Sequence, residues 1–184
     1  VTDYSTRKGP WIATYSGGRY YFDDPRADDI NIKDVAHALS NLCRFTGHVS
    51  RFYSVAEHSV NASYLVPPEE ALAALLHDAH EAYVQDVSSP LKVAIGEGYQ
   101  RIDVSARIAV AMRFGTLVEL SDAVKLADLQ LLFLEARALT AVPVEEWGIP
   151  EPPKADGITL KCWDPDTAMV MFWSRFNELT RDTP

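Results

Sequence analysis

One stretch constrains this chain more than any other: Pro67 to Ala82, PPEEALAALLHDAHEA. Pro67-Pro68 open a helix, and Glu69 and Glu70 fall in its first turn, where acidic side chains suit the helix dipole. Leu72, Ala73, Leu75, Leu76 and Ala79 make it apolar almost all round, so it has to lie at the centre of the fold. Yet the same helix carries His77, Asp78, His80 and Glu81. Burying a carboxylate without a partner costs several kcal/mol. Whatever wraps this helix must therefore bring it a ligand, a metal or hydrogen bonds.

The elements around it are helical too. After a hairpin read from the aromatic runs flanking Gly17-Gly18 (about 11–22), Asn31 caps a helix from Ile32 with Val35, Ala36, Leu39 and Leu42 at helical spacing, ended by Gly47. Ser54 and Glu57 match a capping box for the next helix. Pro90 starts a short turn of helix, and Ile102 to Phe114 forms an amphipathic one. Ser121 caps a long helix through Leu131 and Ala138. A proline-rich loop precedes a last helix from about Pro165 to Leu179. The expected fold is a single all-α domain, a bundle of five to seven helices behind a small amino-terminal β-hairpin. Its helical core covers about 32–140 and a carboxyl-terminal loop and helix about 141–181. Met169, Phe172, Trp173 and Phe176 on the last helix read either as core cover or as an oligomer face.

Composition excludes several function classes. The chain has 184 residues, 47% hydrophobic and 23% charged, which suits one folded domain. With 17 Lys+Arg against 26 Asp+Glu, the net charge of -9 argues against a broad grip on nucleic acid or anionic lipid. No apolar run is long enough to span a bilayer, and Val1 to Gly9 lacks the apolar region of a secretory signal. Cys43 and Cys162 have no metal or redox spacing. These features fit a cytoplasmic protein without a polymer or membrane partner.

The polar residues inside apolar helices carry the chemistry. Glu81 follows His77 by four residues and Asp78 by three, so the three share a face. Asp128 lies on the apolar stripe of the long helix, and His58 sits in the second helix beside Glu57. Singly, each has a bland reading: a structural histidine, or an aspartate paired with an arginine. In the order His, His-Asp, Asp on successive helices they form a nitrogen–oxygen set suited to Zn, Mn, Co or Fe.

The surrounding strings resemble the HD-domain phosphohydrolases, in particular the small bacterial and phage members related to 5′-deoxynucleotidases and phage dATP triphosphohydrolases. They are Arg44-Phe45, Ser54-Val55-Ala56-Glu57-His58-Ser59, Leu76-His77-Asp78-Ala79-His80-Glu81-Ala82, Asp86 with Ser89-Pro90-Leu91-Lys92, and Val124-Lys125-Leu126-Ala127-Asp128. The resemblance implies one divalent transition metal per chain (Zn, Co or Mn ahead of Mg) held by His58, His77, Asp78 and Asp128. It implies Glu81 and Asp86 as catalytic carboxylates, one on the attacking water and one near the sugar or leaving group. Arg44, Phe45 and Lys92 are implied as substrate contacts. Where the deoxynucleotidase pattern has Trp after the arginine, this chain has Phe45.

The activity so implied is hydrolysis of 2′-deoxynucleotides, mono- or triphosphates, by water attacking the 5′-linked phosphorus, in a homo-oligomer (dimer or hexamer). No histidine follows His80, which argues against a two-metal phosphodiesterase. A nucleotide-sensing module without turnover and an assembly protein with paired polar residues are the competing classes.

Overall fold

In the computed structural model, which describes residues 4–181, Gly17 and Gly18 turn a short antiparallel hairpin. Strand β1 (Trp11–Ala13) pairs with β2 (Arg19–Tyr21) in the register Trp11↔Tyr21 to Ala13↔Arg19. Gly17 takes φ 87°, a left-handed conformation open to a residue without Cβ. Tyr20 is fully buried and stacks on Tyr83 with ring centroids 4.4 Å apart, which fastens the hairpin to the helical body. The rest of the regular structure is helical, so the all-α bundle with an amino-terminal hairpin expected from the sequence is the fold that forms.

Helix α1 (Ile32–Asn41) starts where Asn31 accepts the Lys33 N–H at 3.0 Å. It stops at Asn41, short of Gly47, because Leu42 turns extended and Cys43 bridges back to Ser54. Gly47 instead closes a separate 3-10 turn, Arg44–Gly47, in which Phe45 and Thr46 both adopt φ 55°. Helix α2 (Val55–Ala62) is buried along its whole length, and Ser54 caps it by accepting the Glu57 N–H. Only that half of the expected capping box forms. The Glu57 carboxylate turns away and accepts the backbone N–H groups of Lys161, Cys162 and Trp163 at 2.7–3.0 Å.

The central helix is divided. A 3-10 turn (Pro68–Glu70) leads into α3 (Ala71–Leu76), and α4 (Glu81–Val84) continues it after His77–His80. Across the division the backbone hydrogen bonds tighten to three-residue closures: Ala79 to Leu76, Glu81 to Asp78 and Tyr83 to His80. Such overwound turns recur at functional positions inside helices. Helix α5 (Ser89–Ile95) is separated by Gly96, at φ 77°, from α6 (Glu97–Phe114). Helix α7 (Asp122–Leu139) begins at the Ser121 cap, and α8 (Pro165–Thr180) begins at the Asp164 cap.

Helix α8 lies across α1, α2 and α3. Its Phe172 is fully buried, and Met169, Trp173 and Phe176 pack against the main core of Val35, Leu39, Val55, Val60, Leu75 and Leu76. Of the two readings of that helix, core cover is the one the fold adopts. Helix α7 packs on α2 and α3 through a second cluster of Ala62, Ala74, Val124 and Leu131. Three elements bearing polar residues, α2, the α3–α4 turn and α7, therefore converge. Among the described residues, no helix is long and apolar enough to cross a membrane.

Candidate metal centre

Two imidazoles meet at this convergence. His58 Nε2 stands 3.3 Å from His77 Nε2, and both rings are almost inaccessible. Their other nitrogens are committed. His77 Nδ1 donates to the Ala74 carbonyl at 2.7 Å, and His58 Nδ1 faces Glu135 Oε1 at 2.7 Å. A ring whose Nδ1–H is used in this way presents a lone pair at Nε2, the arrangement by which a second hydrogen bond orients a metal-ligating histidine. Two lone pairs at that distance repel unless a cation or a proton lies between them.

Carboxylates close the group. Asp128 Oδ1 is 3.2 Å from His58 Nε2 and 3.9 Å from His77 Nε2; Asp78 Oδ2 is 3.1 Å from His77 Nε2 and 3.7 Å from His58 Nε2. Donors held about 2.0–2.2 Å from one ion lie about 3–3.5 Å apart; the 3.1–3.3 Å spacings match this, and the two longer ones need to shorten by only a few tenths of an ångström. His58, His77 and Asp128 form the tight group able to hold a metal ion. Asp78 borders it from the overwound turn. Asp128 is the exposed member, its side chain 44% accessible, so the cluster opens to solvent along α7. Among the described residues no arginine forms an ion pair with Asp128; its close partners are the two histidines.

The electrostatics follow from crowding. Burial and the Arg44 charge disfavour a protonated His58, but Glu135 and Asp128 outweigh them and push its pKa up to about 9. Burial disfavours a charged His77 as well, yet Asp78 raises its pKa. Glu81 is driven well above the usual carboxylate range by burial and then by Asp78 and Asp86, and its Oε2 is a buried acceptor without a hydrogen-bond partner. Asp86 is raised, also first by burial and then by Asp78, against Arg44. Asp78, Glu81, Asp86, Asp128 and Glu135 thus gather, among the described residues, around two fixed cations, Arg44 and Lys92. A divalent cation would offset that excess, and the nitrogen–oxygen donor set suits it.

The sequence-expected residues gather here with distinct placements. Arg44 is buried, its guanidinium on Glu135 (Nε 3.2 Å, Nη2 3.1 Å) and 3.9 Å from Asp78. Lys92 Nζ lies 3.9 Å from Glu81 Oε1. Phe45 is half-buried against Phe133, Ala136 and Val144, edge-on to Trp147 at 6.1 Å. Strained backbone flanks the group on two sides, at Phe45-Thr46 and at Gln85 (φ 72°), which precedes Asp86. His37 stacks on Tyr15 and His48 is exposed, so neither joins the cluster.

Sequence reasoning missed three participants. Glu135, fully buried on α7, joins Arg44 to His58. It follows Asp128 by seven residues, two helical turns, and that spacing was its available signal. Tyr99 bonds the Gln85 carbonyl and lies beneath Lys92. Asp103 faces His80 at 3.2 Å and Lys92 at 4.0 Å, and no sequence signal tied it to the site.

The fold and site together define an all-α protein with a buried histidine–carboxylate cluster able to hold a metal. No family model matches the chain. It is 42% identical over 174 residues to the uncharacterized protein YfdR of Escherichia coli, spanning 92% of this chain and 96% of that protein. It is 34% identical over 191 residues to the uncharacterized protein RCAP_rcc00048 of Rhodobacter capsulatus, spanning 95% of this chain and 97% of that one. The chain belongs to the family of YfdR.

Proposed function

We propose that the protein is a metal-dependent phosphohydrolase of 2′-deoxynucleotides, of the HD type. The observation that carries this reading is the pair of facing Nε2 atoms of His58 and His77, 3.3 Å apart and flanked by Asp78 and Asp128. His58, His77 and Asp128, with Asp78 as fourth ligand, would hold one divalent ion, with Zn, Co or Mn preferred over Mg for two imidazoles. Such an ion supplies a water of lowered pKa and a counter-charge for phosphoryl oxygens.

The chain's own groups do the rest. Glu81, whose carboxyl is held above the usual range, accepts a proton from the attacking water. Arg44 stays cationic because Glu135, Asp128, Asp78 and Asp86 outweigh the effect of burial, and with Lys92 it offsets charge building on the phosphoryl group. Asp86 serves the leaving-group side. Phe45, half-buried against Phe133, Ala136 and Val144, is assigned to the sugar's C2′ face, where a ribose hydroxyl would be buried without a partner at a cost of ~1–3 kcal/mol. Deoxynucleotides should therefore be hydrolysed roughly ten- to a hundredfold faster than ribonucleotides.

A screen of deoxy- and ribonucleoside mono- and triphosphates with Mn²⁺, Co²⁺, Zn²⁺ and Mg²⁺, measuring kcat/KM and metal content, tests the reading. Asp78→Ala should lose both metal and activity. A chain that binds metal yet hydrolyses none of these compounds would be a sensing module, and the proposal would fall.

A further inference from the structure

Arg44 and His58 do not touch, but both hold the same carboxylate. Glu135 is completely inaccessible, and its two oxygens divide the work: Oε1 takes His58 Nδ1 at 2.7 Å, while Oε2 takes Arg44 Nε at 3.2 Å and Nη2 at 3.1 Å. A guanidinium that donates Nε–H to a carboxylate oxygen and keeps Nη2 in ion-pair range of the same oxygen is held in orientation as well as charge. The imidazole on the other oxygen is fixed in the tautomer that exposes Nε2.

We propose that Glu135 is a positioning residue which couples cation binding at His58 to anion binding at Arg44. This rests on the phosphohydrolase reading given above. A divalent cation taking the place of the proton on Nε2 leaves Nδ1–H on Glu135 and puts a double charge where a single one stood. The carboxylate's charge is then shared more with His58 and less with Arg44, whose donors are released towards an incoming phosphate. By thermodynamic reciprocity a bound phosphate tightens the metal by the same factor. Direct attraction between metal and phosphate persists without Glu135; the part carried by the carboxylate does not.

The test uses the full chain, stripped of metal, with Mn²⁺ and inorganic phosphate as probes in calorimetry. Glu135→Gln keeps the shape but loses the charge. It should weaken Mn²⁺ by roughly ten- to a hundredfold, as removing an outer-shell partner does. It should also reduce the factor by which Mn²⁺ improves phosphate affinity. Glu135→Asp keeps the charge but draws the carboxylate back from both partners; it should lower both affinities severalfold, and it carries the test if the glutamine variant does not fold. Mn²⁺ and phosphate affinities unchanged in a folded variant would overturn the proposal and make Glu135 a structural ion pair only. If the unmutated chain bound no divalent metal, the phosphohydrolase reading would fall and take this one with it. Metal and phosphate binding that depend on Glu135 in a chain without hydrolytic activity would uphold the coupling and overturn the activity alone.

Discussion

At His58 Nε2 a proton takes the position a metal would occupy. In the metal-free chain, His58 is held cationic by Glu135 and Asp128 against burial and Arg44, with a pKa pushed up to about 9. A pKa raised by folding stabilises the fold fully below the unfolded value of about 6.5, and that contribution fades as pH climbs through the folded value. The metal-free protein should therefore lose melting temperature between pH 6.5 and 9, while stoichiometric Mn²⁺, replacing the proton, should flatten the profile. Scanning fluorimetry with and without chelator measures it; a metal-free profile flat across this window would contradict a cationic His58. At this scale the sequence exposed the members of the cluster and concealed their supports. His58, His77 and Asp128 were legible because charged groups on apolar helices demand partners. Glu135 was not, because a lone glutamate in an apolar run looks like a solvated face, and its partners lie 77 and 91 residues away.

Caps were legible because they are local. Asn31, Ser54 and Ser121 each accept the hydrogen bond their positions call for. The division of the central helix was not, since His77 and His80 keep helical dihedrals and only the hydrogen-bond closures change. The early stop of α1 depends on the Cys43–Ser54 bridge to a later segment, which no local pattern reveals. Glu57 illustrates the same limit: it fits a capping box, yet it secures the approach to α8 from more than a hundred residues away. Three backbone donors on one buried carboxylate make that attachment strong. Glu57→Ala should cost about 3 kcal/mol or more, since each hydrogen bond to a charged acceptor contributes roughly 1.5–3 kcal/mol before compensation by water. Urea unfolding gives the loss, and faster amide exchange at Lys161, Cys162 and Trp163 would locate it. A loss below about 1 kcal/mol would mean that solvent replaces the clasp.

With the aromatic residues of α8 packed on the core, a further apolar surface lies along α6. Val104, Ile108 and Met112 follow one another at four-residue spacing along the outside of α6 and are 49%, 42% and 72% exposed. Leu91, Val93 and Ile95 on neighbouring α5 are 48%, 78% and 50% exposed, and Leu117 beyond α6 reaches 80%. The α6 stripe offers on the order of 300 Å² of apolar side chain, the size of patch that often marks an interaction surface. A stripe of this kind suits a twofold contact, in which the same residues meet their copies across the axis. The protein should therefore self-associate through α6, and not through α8 as its aromatic sequence invites. Light scattering at micromolar concentration should give at least a dimer mass, and Ile108→Glu, which puts a charge at the centre of the stripe, should give a monomer with an unchanged far-ultraviolet spectrum. Truncating a residue on α8, such as Phe172→Ala, should instead cost roughly 3–5 kcal/mol of stability, because it empties a fully buried position. A monomeric mass for the unmutated chain would remove α6 as an interface and leave its apolar stripe exposed to solvent.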